Sequence, residues 1–164
     1  MDTVSAGGFA ARAAQVLVVM LAADMYTYFK HRLLHTRALY AYHKSHHVYG
    51  DPSCFSAFAQ HPVEGVLTFW PIVLFGLRLP RFAVYGPLHM PTLAGFALLN
   101  LYLHCGYSVH WLDRLLRMAM LDTSALHNRH HETSRCNFGE VLVLWDLLMG
   151  TCDNQDVGLH TKSV

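Results

Sequence analysis

The chain has 164 residues, enough for one domain, with 53% hydrophobic residues, 14% charged residues and a formal net charge of +1. A charged fraction this far below the roughly 25% usual for soluble domains favours a membrane as solvent, and a near-neutral balance without aromatic–basic interleaving gives no surface for nucleic acid. Cys54, Cys105, Cys136 and Cys152 form no C-x-x-C pair, which sets aside a zinc finger or a secreted disulfide framework and leaves free thiols in a reducing compartment.

Residues 1–8 are small and polar and are expected to form a flexible N-terminus. Between Arg12 and Lys30 the single charge is Asp24. A run this apolar predicts a membrane helix over about 9–35, close to the ~20 residues a span requires, with a buried core helix as the alternative. It passes through tyrosines directly into the histidines, so cleavage as a secretory signal would leave them at a raw N-terminus.

The stretch from His31 to His47, HRLLHTRALYAYHKSHH, holds five histidines in seventeen residues, as H-x-x-x-H (His31, His35) followed by H-x-x-H-H (His43, His46, His47). Residues three or four apart share a helix face, so His31 and His35 can present two imidazoles to one point, and His43 can do so with His46 or His47. A single histidine is ordinarily a surface residue or a satisfied core residue. This density, with a second H-x-x-H-H at His127, His130 and His131, points instead to a metal site for more than one ion, since neutral imidazole is a common ligand for zinc, iron and copper. Lys30, Arg32, Arg37 and Lys44 surround the first boxes, and basic flanks favour the cytoplasmic side of a membrane.

Gly50, Asp51 and Pro52 mark a turn, and His61-Pro62 restarts a helix with proline near its first turn. The apolar runs within 65–103, broken by LRLPR and by Pro87 and Pro91, predict a helical hairpin that dips into or crosses a bilayer and returns His104 to the side of His61. The segment 111–121, WLDRLLRMAML, reads as an interfacial helix lying on a membrane or an ordinary amphipathic surface helix. Asp122-Thr123-Ser124 is a helix start before the second box. An Asn-Phe-Gly turn and a Trp-Asp pair close the working region at 151, and 152–164 is expected to be a disordered tail.

HRLLH, HKSHH, the HPVE of His61–Glu64, HCGY at His104, HNRHH, NFG and WDLLMGT occur in an order and at separations that resemble the fatty acid hydroxylase superfamily, which includes sterol desaturases and methylsterol monooxygenases. The resemblance runs from about Asp24 to Thr151, so 9–151 is expected to be one fatty acid hydroxylase-like domain. It implies an all-α integral membrane helical bundle under a cytosolic histidine-rich di-metal cap, in the endoplasmic reticulum membrane if the source is eukaryotic. It also implies a non-haem di-iron oxidoreductase that uses dioxygen to hydroxylate or desaturate a sterol or long-chain lipid. The ligand roles fall on His31, His35, His43, His46, His47, His104, His127, His130 and His131. Some relatives have a further histidine where this chain has Asn100. Supporting roles fall on His61, Glu64, Asn100, Asn137 and Asp146, because metal-bound imidazoles are oriented by outer hydrogen-bond partners; Asp24, Asp122 and Glu132 are further carboxylates of this kind, Glu132 reading better as solvated. Trp70, Phe75, Phe96 and Leu99 are candidate walls of a substrate channel. The implied cofactors are two iron ions, with zinc as a possible substitute. The implied partners are the lipid, the membrane and a separate electron-donor protein, since no haem, flavin or nicotinamide motif is present. A catalytically silent membrane protein holding zinc in the same histidine cage is the alternative.

Overall fold

The computed structural model describes residues 6–50, 52–78, 86–153 and 162–163. Its first element, α1 (Ala6–Leu34), is built from leucine, alanine, valine and methionine without proline, and it begins before the expected residue 9. The helix ends where the first histidine box begins, with His31 in its last turn and His35 one residue beyond Leu34. Three short 3₁₀ turns follow, Tyr40–Tyr42, His46–Val48 and Cys54–Phe58. α2 (Pro62–Arg78) opens on the proline predicted to start it, and α3 (Gly86–Leu103) carries Pro91 inside it. These two helices occupy the predicted hairpin region, and 79–85, between them, lies outside the described residues.

The second half is built from shorter elements. β1 (Tyr107–Ser108) leads into α4 (His110–Met118), shorter than the expected 111–121 because the chain turns at Met120 with φ of 59°. α5 (Ser124–Thr133) carries the second box and α6 (Leu144–Met149) the Trp-Asp pair. The tail expected to be disordered contributes β2 (Lys162–Ser163), which pairs in parallel with β1; 154–161 and 164 lie outside the described residues.

Side-chain hydrogen bonds tie α1 to the rest. The Tyr26 hydroxyl donates to the Leu67 carbonyl at 2.7 Å. Asp24 accepts the Trp145 indole N–H at 2.8 Å, and the Tyr28 hydroxyl lies 2.7 Å from that of Thr151. The polarity of the packing is inverted relative to an ordinary water-soluble domain. Among the described residues the buried hydrophobic side chains are six (Tyr28, Leu34, Ala57, Leu103, Leu126, Phe138), whereas nineteen buried residues are polar or charged, seven of them histidines. Leu17, Val18, Phe29, Val66, Trp70, Leu98, Trp111 and Met118 meanwhile lie exposed. No described helix is long and apolar enough to cross a membrane; α2, for one, has only 17 residues. The span expected over 9–35 falls partly on side chains outside the described residues.

Candidate metal centre

α5 is a regular helix because its ends are closed. The Thr123 hydroxyl accepts the Leu126 N–H at 3.4 Å as an N-cap, and Ser134 terminates it in the left-handed conformation at φ 56°. On such a helix positions four apart fall on one face and the position three along is rotated slightly to the other side. His127 and His131 accordingly point one way and His130 the other. The first box follows the same rule across a turn and a 3₁₀ segment, with His43 and His47 together and His46 apart.

Nine histidines thus form two groups. In one, a ring nitrogen from each of His31, His35, His43, His47 and His130 lies within 4.8 Å of every other. In the second, His46, His104, His127 and His131 do the same. Each H-x-x-H-H box therefore serves both groups, and of the two partners open to His43 it is His47 that joins it.

The nitrogens meet Nε2 to Nε2: His43–His47 at 3.1 Å and His47–His130 at 3.3 Å in the first group, His46–His104 at 3.1 Å and His104–His127 at 2.9 Å in the second. The opposite nitrogens are engaged outside. His43 Nδ1 lies 2.7 Å from Glu64 Oε1, and His31 Nδ1 2.9 Å from the Phe138 carbonyl. His104 Nδ1 lies 2.8 Å from the Asn100 carbonyl, and His130 Nδ1 2.8 Å from that of Cys136. Facing carbonyls and a carboxylate, these Nδ1 atoms carry the proton, which leaves a lone pair on each inward Nε2. Inward lone pairs cannot hydrogen-bond to one another. Two nitrogens bound to one ion at ~2.1 Å, by contrast, sit roughly 3.0–3.4 Å apart. The Nε2 atoms of His31 and His35 have no hydrogen-bond partner. Both donor sets fit a metal ion.

Burial keeps the rings neutral, the form that binds metal. Desolvation first, and neighbouring rings second, hold His46, His127 and His130 well below the ordinary imidazole range and bring His47 down to about 3. Desolvation likewise lowers His104 and His131. Asp122 faces His127 Nδ1 at 3.7 Å, and burial pushes its carboxyl well above the usual carboxylate range.

The remaining sequence candidates divide. Glu64 is a direct outer partner of His43. Asn100 acts on His104 through its backbone carbonyl. Asp146 accepts the Phe138 and Gly139 N–H groups at 2.8 and 2.7 Å and the Thr151 hydroxyl at 2.7 Å, which fixes the loop whose Phe138 carbonyl orients His31. Asn137, at φ 54°, binds the Leu126 carbonyl at 3.1 Å through its amide N–H and accepts the Asp153 N–H at 2.8 Å. His61 lies in neither group; its Nδ1 accepts the Val63 N–H at 3.2 Å and its ring meets that of Tyr42 edge-on. Glu132 is exposed and paired with Arg129 at 3.3 Å, and Asp24 braces α6. A cavity of about 240 Å³ is lined by Phe96 among others, but not by Trp70 or Leu99; the side chain of Phe75 is outside the described residues. The Cys136 and Phe138 carbonyls and Glu140, 3.7 Å from His31 Nδ1, escaped the sequence reading. The NFG motif was the signal for the loop that carries them.

Gly139 is held at this loop by space. A Cβ there would stand 2.7 Å from the Leu142 carbonyl oxygen and 2.9 Å from Asp146 Oδ2. Gly139→Ala is expected to lower stability by about 1–3 kcal/mol, the usual cost of forcing a methyl into packed structure, as measured by chemical denaturation in detergent.

Comparison with known proteins agrees with this arrangement. The model of the fatty acid hydroxylase family matches residues 16–151. Lathosterol oxidase of Rattus norvegicus is 30% identical over 83% of this chain and 44% of its own length. The Delta(7)-sterol 5(6)-desaturase of Eremothecium gossypii is 30% identical over 96% of the chain and 42% of its own. Sphinganine C4-monooxygenase 1 of Arabidopsis thaliana is 32% identical over 87% and 55%. The chain thus spans about half the length of the curated relatives it matches. No solved structure matches it. With the family model covering most of its length and the histidines of every box gathered into two groups, the chain belongs to the fatty acid hydroxylase family.

Proposed function

We propose that this protein is a membrane di-iron oxidoreductase that uses dioxygen to hydroxylate or desaturate a sterol or long-chain lipid. The observation that carries the reading is the paired all-nitrogen donor set. One group offers five imidazoles and the other four. Structural zinc sites are almost always four-coordinate, so the five-membered group suits a metal with a higher coordination number. Bound iron would supply activation of dioxygen toward an unactivated C–H bond. The chain's own residues hold the imidazoles neutral and aimed inward, through Glu64 and the carbonyls of Asn100, Cys136 and Phe138, and bury them from water.

The names of the sterol and sphinganine relatives support the lipid substrate of this reading. The membrane reading rests on the inverted polarity: large apolar side chains face outward along α1, α2 and α4 while polar groups fill the interior, an arrangement that an apolar surrounding stabilises. On α4, exposed Trp111, Leu115 and Met118 alternate with exposed Arg114 and Arg117, as on an interfacial helix. The basic residues around the first box support a metal cap on the cytosolic side, at the endoplasmic reticulum in a eukaryote. Electrons come from a separate donor protein.

The test is metal analysis of the full chain purified in detergent, followed by dioxygen uptake with sterol or sphingoid lipid, iron and a chemical reductant. Lipid-dependent uptake together with about two iron ions per chain is expected. Tightly bound zinc in both groups and no lipid-dependent uptake would replace this reading with the silent zinc-binding one.

A further inference from the structure

His104 stands apart among the four imidazoles of the second group. His46 belongs to one H-x-x-H-H box and His127 and His131 to the other, whereas His104 lies outside both, just beyond the end of α3 at Leu103. A tight turn through Gly106, at φ 74°, leads from it into β1 and then α4. α4 is rich in large apolar side chains, yet the residue it buries is its acid. Asp113 is 6% exposed, whereas Trp111, Leu115 and Met118 are exposed at 67%, 54% and 77%. The two oxygens of Asp113 are taken by hydroxyls from either side of His104. Tyr102, just before it, donates to Oδ1 at 2.5 Å, and buried Ser108, just after it, donates to Oδ2. The Tyr102 oxygen also accepts the Val109 N–H at 3.3 Å, and the Asp113 N–H donates to the Val109 carbonyl at 2.8 Å.

Burying a carboxylate is unfavourable unless its oxygens are hydrogen-bonded, so attachment of α4 alone would be better served by an apolar side chain. What the carboxylate adds is direction. Two charge-assisted hydrogen bonds of defined geometry close the chain from Tyr102 to Ser108 into a loop with His104 inside it. The ring's own outer restraint is the Asn100 carbonyl, 2.8 Å from Nδ1. Its Nε2 stands 3.1 Å from that of His46 and 2.9 Å from that of His127, and a shared ion needs that spacing held closely. A turn through glycine, left open, would let the ring drift, because glycine populates both halves of the φ range. We propose that Asp113 is a positioning residue of the second histidine group, closing the turn 102–108 so that His104 is fixed where a metal shared with His46, His127 and His131 would lie. The assignment rests on the metal-holding part of the functional reading above, and not on its oxygen chemistry.

The experiment is zinc binding to the full chain in detergent, read by competition with a chromophoric chelator and without turnover. Asp113→Ala is expected to weaken one class of bound zinc by about 10–100-fold, the scale for loss of an outer partner, and to leave the other class unchanged. Two backgrounds identify the affected ion. Added to His131→Ala, which disables the second group, Asp113→Ala should change nothing; added to His130→Ala, it should weaken the ion that remains. Asp113→Asn should restore most of the affinity, because an amide can accept from Tyr102 and donate to Ser108. Should Asp113→Ala fail to fold, Tyr102→Phe, which removes a single hydroxyl, carries the same expectation. Equal weakening of both classes, as from a merely structural acid, would overturn the assignment. Unchanged binding, or an asparagine variant as weak as the alanine one, would overturn it too. The expected zinc losses in a chain that never consumes dioxygen with lipid would refute the functional reading alone. A chain that consumes dioxygen while Asp113→Ala leaves both classes tight would refute the positioning role alone.

Discussion

His130→Ala and His131→Ala, neighbours in sequence, are expected to strip different ions from the protein. His130 belongs with His31, His35, His43 and His47, and His131 with His46, His104 and His127. Each substitution should lower bound metal from about two ions per chain towards one and abolish turnover, because the proposed chemistry needs both metals. The remaining ion should report which group survives. In His130→Ala, adding His46→Ala should remove the second ion, whereas adding His47→Ala, in the group already damaged, should not. Glu64→Ala acts one bond further out, on the ring of His43, and should cost about 10–100-fold in metal affinity without removing either site. His110, exposed and in neither group, serves as the control and should keep its full metal content as alanine. Identical losses from the His130/His46 and His130/His47 double variants, measured by metal analysis, would show that the two groups are not separate sites.

Acidification is expected to unfold the metal-free protein well before it harms an ordinary helical protein. Unfolded histidines titrate near 6.5. In the folded chain, burial holds His46, His127 and His130 well below that value and brings His47 to about 3. The unfolded chain therefore binds more protons below about pH 6.5, and stability rises with pH through that window. It is fully present above about 6.5 and is lost as the pH falls towards the folded values. At about pH 5 each such buried ring costs about 2 kcal/mol, and several together match the ~5–15 kcal/mol of a whole domain. After chelation in detergent, the thermal midpoint should drop steeply between about pH 7 and pH 5. Bound metal competes with protons for the same nitrogens, so a loaded protein should resist acid further and release its ions in that window. A flat midpoint across the range in the metal-free protein would contradict the buried, neutral state of the rings.

The histidine spacing was enough to identify the residues now found in two groups, because pairs three or four apart on a turn of helix meet whatever the rest of the fold does. The start of α5 was legible for the same local reason: Asp122-Thr123-Ser124 offers a hydroxyl to an unpaired helix N–H. The length of α1 and its delivery of His31 and His35 followed from its apolar composition. Glu64 stood out in HPVE and Asp146 in the Trp-Asp pair as candidate supports, but not their contacts, His43 for Glu64 and the Phe138 N–H for Asp146.

What the tertiary structure decided was partition and access. Whether His46 joins His43 or His104 depends on where α3 and α5 pack against the first box, a contact between residues 58 positions apart that no local spacing encodes. The outer acceptors of His31, His104 and His130 are backbone carbonyls. Every residue has a carbonyl, so sequence gives no mark by which to choose Phe138, Asn100 or Cys136. Glu140 has no distinguishing pattern in the sequence, and only the fold sets Lys30, 110 residues earlier, against it. Of the four proposed channel walls, Phe96 lines the cavity but Trp70 and Leu99 do not, because apolar residues on one helix differ only in which way they face, and that is set by the neighbouring helices. Local chemistry, in short range along the chain, specified which side chains could bind metal; the long-range packing of α1, α3 and α5 specified which ion each would share, since only packing brings distant Nε2 atoms within 3 Å or so of one another.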